Sequence, residues 1–235
     1  MKLLILSLDT SSVTASCALY EDGKTIVESF LNAKITHSKT MMPMIEGLFS
    51  SSGRNIKDVN IFAGVTGPGS FTGVRIGASI LLGLAFGKSA ACVGVSALEM
   101  TAAPFDSPLF ADKIICPLMD SRRGQFYNAL FKNGQRLTED RAIGAEELSS
   151  ELEKYGLPVI ICGDGASLFS DLVPDNSFIK APGRLIYPSA SEAARLALKK
   201  YEAAIDKTLF TDLNFKPVYL RPSQAERLKN DSEIK

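Results

Sequence analysis

Apolar residues fall into two patterns along this chain: short unbroken runs, and stretches in which they recur every three or four positions. Leu3 to Leu8 is apolar throughout except for Ser7, which predicts a central strand covered on both faces. Ala15 to Tyr20 and Thr25 to Leu31 predict two more strands, and Asp22-Gly23 between them is a hairpin-turn signal. His37 to Ser52 places Met41, Met44, Ile45 and Leu48 at helical spacing, with Pro43 limiting the first turns. Ile61 to Val65 predicts a strand, Gly67 to Gly69 a tight turn, Phe71 to Phe86 a helix and Ala91 to Val95 a short strand.

The order β-β-β-α-β-α-β over the first ~100 residues implies a mixed sheet with helices packed on it. Two prolines in Pro104-Phe105-Asp106-Ser107-Pro108 suggest a lobe boundary, giving an N-terminal lobe over 1–104 and a C-terminal lobe over 105–235. The second half partly repeats the scheme. Lys113 to Met119 and Gln125 to Phe131 predict strands, with Asn133-Gly134 as a further hairpin turn. Glu146 to Tyr155 predicts a helix, Val159 to Cys162 a strand, Ser167 to Leu172 a short helix and Ser189 to Tyr201 a last helix. The apolar segment Pro217-Val218-Tyr219-Leu220-Arg221 is expected to dock, with the last segment packing back on the N-terminal lobe. The charged end from Glu226 to Lys235 is expected to fray.

Composition narrows the classes. A chain of 235 residues with 46% hydrophobic side chains has ample apolar mass for one large or two small cores. Its 26 basic and 26 acidic residues balance, whereas a protein that grips nucleic acid alone carries a basic excess. Any nucleic-acid role therefore calls for a partner. Cys17, Cys92, Cys116 and Cys162 are far apart and sit in apolar runs, which fits reduced, buried thiols and neither a zinc nor a redox pattern. The first residues resemble a short secretory segment, but Asp9 interrupts it after about seven positions and no cleavage pattern follows. No apolar run approaches the ~20 residues of a membrane span. A cytoplasmic protein with no membrane contact is expected.

Three stretches could carry chemistry. Asp9 stands at the tip of the first strand, where a carboxylate can either face a phosphate-bound ligand or cap a turn through an Asx hydrogen bond. In Gly67-Pro68-Gly69-Ser70-Phe71-Thr72-Gly73-Val74-Arg75-Ile76-Gly77, the glycines permit unusual backbone angles and Ser70 is a good N-cap. The amides that follow could meet an anion. Gly73 and Gly77 lie one turn apart on one helix face, and each costs about 1 kcal/mol relative to Ala in a helix. Such a face needs another backbone close by, either the chain's own sheet or a partner helix. Asp120-Ser121-Arg122-Arg123-Gly124-Gln125-Phe126-Tyr127 is a charged turn that could face phosphate or an acidic partner, or simply solvent. The sole histidine, His37, excludes a paired-histidine metal site, and no Gly-x-Ser-x-Gly elbow supports a serine nucleophile.

Asp9-Thr10-Ser11, His37 with Pro43-Met44, the undecapeptide Gly67 to Gly77, Asp120 to Tyr127 and Pro217 to Arg221 together resemble the TsaB (YeaZ) family, over most of the chain. The resemblance implies an α/β, two-lobed actin-like (ASKHA, RNase H-like) fold with mixed five-stranded sheets and flanking helices. It also implies a non-catalytic scaffold for a TsaD transferase, joined by the ATPase TsaE, in threonylcarbamoylation of N6 of adenosine 37 in tRNAs reading ANN codons. TsaD binding, or homodimerisation in isolation, is expected through His37, Met41, Met44, Ile45 and Leu48 on the first helix and Gly73, Ile76, Gly77 and Ile80 on the second. tRNA is met only through the complex. No metal and no cofactor are required. Weak ATP or ADP contact is expected at Asp9, Thr10, Gly67, Gly69 and Ser70, although Thr10-Ser11 replaces the glycine usual in that turn of the superfamily. The competing readings are a free-standing nucleotide-dependent ATPase or kinase of the actin-like superfamily and, on older M22 family naming, a glycoprotease.

Overall fold

The computed structural model describes residues 2–174 and 178–221, so the expectation for Glu226 to Lys235 lies outside the described residues. The first lobe is built from β1 (Leu4–Asp9), β2 (Ala15–Glu21), β3 (Lys24–Leu31), α1 (His37–Ser52), β4 (Val59–Gly67), α2 (Phe71–Ala85) and β5 (Ala91–Ser96). Its five strands run in the order β3-β2-β1-β4-β5, with an antiparallel β1–β2–β3 meander and with β4 and β5 parallel to β1. The turn between β2 and β3 has Asp22 at φ 52° and Gly23 at φ 76°, the left-handed pair that a two-residue hairpin needs. α1 and α2 cover one face of this sheet.

The second lobe follows a short helix, α3 (Ala97–Ala102), and contains β6 (Ile114–Asp120), β7 (Gln125–Asn128), β8 (Phe131–Lys132), β9 (Gln135–Arg136) and β10 (Arg141–Gly144). It continues through α4 (Ala145–Glu153), β11 (Val159–Cys162), α5 (Ala166–Leu172), β12 (Phe178–Lys180) and α6 (Ala190–Ala203). The main strand path, β10-β7-β6-β11-β12, repeats the first sheet: a meander, then two parallel strands. This duplicated order is the two-lobed actin-like arrangement that the resemblance implied. One detail differs, because the second sheet has seven strands and not five. The run expected as one strand over Gln125 to Phe131 breaks after Asn128. The buried Asn128 amide donates to Pro117 O and Ala129 O, and the chain beyond forms the β8–β9 hairpin at Asn133-Gly134.

α6 leaves the second half and packs on the other face of the first sheet, against β1 and β2. Its alanines Ala190, Ala193, Ala194 and Ala197 are fully buried, and their small size lets the helix backbone approach the sheet closely. That contact explains Ser7, the polar interruption in the first strand, whose hydroxyl donates to Ala190 O at 2.6 Å. Glu28 on β3 accepts from the Ser189 and Ser191 hydroxyls and so caps α6 from the opposite lobe. One apolar core, which includes Ile5 and Ile61 from the first lobe with Ile115 and Ile160 from the second, is therefore shared.

Candidate functional site

Five segments converge between the lobes: the β1–β2 turn, the β4–α2 junction, the β6–β7 turn, the Gly163-Asp164-Gly165 turn and residues 218–221. They enclose a cleft of about 550 Å³. Asp9 lies beneath it, fully buried. Its Oδ1 accepts the Ser11 N–H at 2.8 Å, the Asx geometry anticipated for a turn cap, while Oδ2 has no partner. Burial pushes this carboxyl up, opposed by the hydrogen bond from the Ser11 N–H. Asp164, in the Gly163–Gly165 turn that the nucleotide-dependent reading would set at an interlobe cleft, lines the cleft from the second lobe. It sits between two glycines in the turn that follows β11, whereas in the duplicated order the counterpart of Asp9 is Asp120, which ends β6 as Asp9 ends β1 and likewise accepts the N–H of the residue two further on. Burial pushes the Asp164 carboxyl up to about 6, the negative charges of Asp120 and Asp9 add to this, and the N–H groups of Val13 and Asp120 oppose it.

That shift has a testable consequence. The folded chain holds the Asp164 proton at a pH where the unfolded chain has released it. The contribution of Asp164 to stability is therefore unfavourable near neutrality and is relieved as pH falls through about 6 towards the ordinary value of 3.8. Asp164→Asn is expected to stabilise the protein by up to about 2 kcal/mol near neutral pH and by much less near pH ~4. Urea unfolding of both chains at the two pH values checks this; a difference between them that does not change with pH would refute it.

The β4–α2 junction turns inward more than its sequence suggested. Ser70 Oγ accepts the Gly73 N–H at 3.2 Å as an N-cap, and Ser70 N donates to Ser11 O at 2.7 Å. Thr10 Oγ1 donates to Gly73 O at 2.7 Å. A Cβ on Gly73 would collide with the Thr10 carbonyl oxygen, and one on Gly77 with Thr10 Oγ1. Gly67 lies against the Val218 carbonyl, and Gly69 against Ser11 O. Of the expected nucleotide-contact set, Gly69 and Ser70 line the cleft, while Asp9, Thr10 and Gly67 do not reach its wall.

The expected partner-interface set divides, and this corrects the reading of Gly73 and Gly77 as a docking stripe. Their face of α2 is filled by the chain's own β1–β2 turn. Met41, Ile45 and Leu48 are at most 1% exposed and belong to the core between the first sheet and its helices. Sequence periodicity identified the correct face of α1, but that face points inward. His37, Met44, Ile76 and Ile80 stay half-buried on the outside, with Met42 exposed beside Met44. His37 Nε2 is bonded to Ser12 O at 2.9 Å, which ties the start of α1 to the β1–β2 turn. Arg122 and Arg123 are exposed at the tip of the β6–β7 turn, where Asp120 Oδ1 accepts the Arg122 N–H at 2.7 Å. Arg122 also borders the cleft. Among the described residues, no group of three or more His, Cys, Asp or Glu side chains could hold a metal ion, and no helix is long and apolar enough to cross a membrane.

Comparison with known proteins gives a consistent picture. The TsaD family model, tRNA N6-adenosine threonylcarbamoyltransferase, matches residues 31–158. The tRNA threonylcarbamoyladenosine biosynthesis protein TsaB of Escherichia coli (strain K12) is 30% identical over 226 residues, covering 94% of this chain and 96% of the relative. TsaB of Bacillus subtilis (strain 168) is 31% identical over 230 residues, with the same coverage of 94% and 96%. The solved structure of YeaZ from Pseudomonas aeruginosa superposes with a TM-score of 0.75 at 22% identity, covering 93% of this chain and 100% of that one, a likeness of fold.

Proposed function

Because the chain belongs to the TsaB (YeaZ) family, we propose that it serves tRNA threonylcarbamoyladenosine biosynthesis as a non-catalytic platform for a TsaD transferase. The observation that carries this is the near end-to-end likeness to proteins named for that pathway. On this reading TsaD docks on the outer α1–α2 surface, a second copy takes the same place in the isolated protein, and TsaE joins the assembly. The tRNA, modified at N6 of adenosine 37, is held by the complex in the cytoplasm, and this chain needs no metal or cofactor of its own. Balanced charge supports a subunit that does not grip RNA alone. The outward Met42, Met44, Ile76 and Ile80 support a surface suited to helix–helix association.

Reconstitution tests the proposal. TsaD and TsaE with a threonylcarbamoyl donor and tRNA should modify adenosine 37 when this chain is added and fail when it is left out. Equal modification in both reactions would end the scaffold reading. The surface itself is tested by Ile76→Glu, which alters a half-buried residue outside the core cluster. A charge at a hot spot is expected to weaken association with TsaD by about 30-fold or more, with the thermal midpoint kept. Unchanged binding would place the interface elsewhere.

A second reading, a free-standing nucleotide-binding ATPase or kinase, is favoured by one observation. An interlobe cleft is present, and buried carboxylate oxygens of Asp9 and Asp164 beside it have no partner. Calorimetry with ATP and ADP separates the readings, since micromolar affinity together with turnover belongs to the enzyme alone.

A further inference from the structure

The last described stretch, Pro217 to Arg221, crosses the mouth of the cleft and is tied to both lobes. On the first lobe, the Val218 N–H donates to Thr66 O at 2.7 Å. Arg75 Nε donates to Tyr219 Oη at 2.9 Å, and the Tyr219 ring packs 4.9 Å from that of Phe71. The Arg75 guanidinium carbon lies 3.8 Å from the Phe71 ring centre and 5.6 Å from that of Tyr219, so one cation and two rings form a single stack. On the second lobe, Arg221 donates to Gln125 Oε1. Val218 and Tyr219 remain 50% and 42% exposed, so the segment lies over the cleft without joining the core.

Around the base of the cleft are polar atoms that the fold leaves unpaired. Asp9 Oδ2, Ser11 Oγ, Ser121 Oγ and Asp164 Oδ1 are all buried without a hydrogen-bond partner in the chain. Four such atoms gathered in one place are unusual, because buried polar groups are almost always satisfied by protein, water or a bound solute. They belong to both lobes, and the strap that spans the lobes above them is held by a few exposed contacts. Few exposed contacts mark the segments that open at low free energy.

We propose that Pro217–Arg221 is a latch over the interlobe cleft, closed by the Phe71–Arg75–Tyr219 stack, whose release admits polar solutes to the unpaired groups below. The latch does not rest on the platform reading, since its contacts lie within one chain; Phe71 and Arg75 share α2 with the proposed docking surface, so the labelling is read in the absence of TsaD.

Thiol labelling tests it. All four native cysteines are buried, and burial pushes each thiol above its ordinary range, so they form a quiet background. Ser121→Cys places a near-isosteric thiol on the cleft wall at a position 8% exposed. Its reaction with N-ethylmaleimide, followed by intact mass, reads access to the cleft. Adding Tyr219→Ala or Arg75→Ala to the Ser121→Cys chain is expected to raise the labelling rate about tenfold or more, and Tyr219→Phe, which keeps the ring, to raise it less. A rate that is the same with and without Tyr219→Ala overturns the latch. So does a parallel rise in native-cysteine labelling in the Tyr219→Ala chain lacking Ser121→Cys, because the strap would then be holding the fold together and not covering the cleft.

Discussion

Gly73→Ala is expected to lower stability by about 3 kcal/mol or more, and Gly73→Leu to leave little folded protein. The added Cβ would collide with the carbonyl oxygen of Thr10. That oxygen is backbone, held in a turn whose next residue accepts the Ser70 N–H and donates to Asp9, so no rotamer change relieves the contact. Either α2 or the whole β1–β2 turn must shift, and the Thr10 Oγ1 bond to Gly73 O goes with it. For a chain of this size, about 3 kcal/mol is a fall in thermal midpoint of roughly 6–12 °C. Gly83→Ala on the same helix is the matched control, because Gly83 is exposed and nothing lies near its missing Cβ. That change should gain up to about 1 kcal/mol from helix propensity. Differential scanning of the two variants decides between an inward and an outward role for the glycine face. A Gly73→Ala protein that melts like the parent but no longer associates would restore the docking role.

The fate of that face shows where sequence reasoning stopped. Periodicity and turn chemistry located β1, both helices of the first lobe and both two-residue hairpins, since each carries a run of signals long enough to read. β10 and β12 have four and three residues, and α3 has six, too few for a period to emerge. Direction was the harder problem. Small residues at one-turn spacing say that a backbone comes close, but they do not say whose, and here it is the chain's own Thr10. The buried face of α1 raised the same ambiguity: Met41, Ile45 and Leu48 mark an apolar stripe without naming the surface that covers it. In the cleft, Asp9 was legible because it ends a long apolar run. Asp164 stands two residues beyond a four-residue strand, in a Gly-Asp-Gly segment whose sequence marks a turn but not what its carboxylate faces.

The same logic of missing side chains predicts the other large effect, at Phe215. Gly64 on β4 and Gly94 on β5 are paired across neighbouring parallel strands, an unusual place for two glycines, which weaken strand interiors. Phe215 fills the space beside them together with Leu81 and Thr66. It is only 6% exposed and belongs to the core beneath α2, and its ring occupies the space above the pair. A Cβ on Gly64 would come within 2.5 Å of Leu81 Cδ1 and 2.8 Å of Phe215 Cζ, and one on Gly94 within 2.6 Å of Thr66 Cγ2, with Phe215 Cε2 in ordinary contact at 3.7 Å. Phe215→Ala is therefore expected to cost about 3–5 kcal/mol, as emptying an aromatic site does when the surroundings cannot collapse. The surroundings here are two strands fixed in register, so collapse is poor. Gly64→Ala should be strongly destabilising alone and less so in the Phe215→Ala chain, where the contact of the new methyl with the ring is gone and Leu81 can move into the vacated space. A double-mutant cycle by urea unfolding measures this coupling, expected at about 1–3 kcal/mol. Additive losses would mean that the ring and the paired glycines do not share one site. Since Phe215 lies two residues before Pro217, the cycle also bears on the strap. If the ring is the anchor, Phe215→Ala should loosen Val218 and Tyr219 from Thr66 and Arg75, and labelling at the Ser121→Cys position should accelerate under conditions where the rest of the chain remains folded.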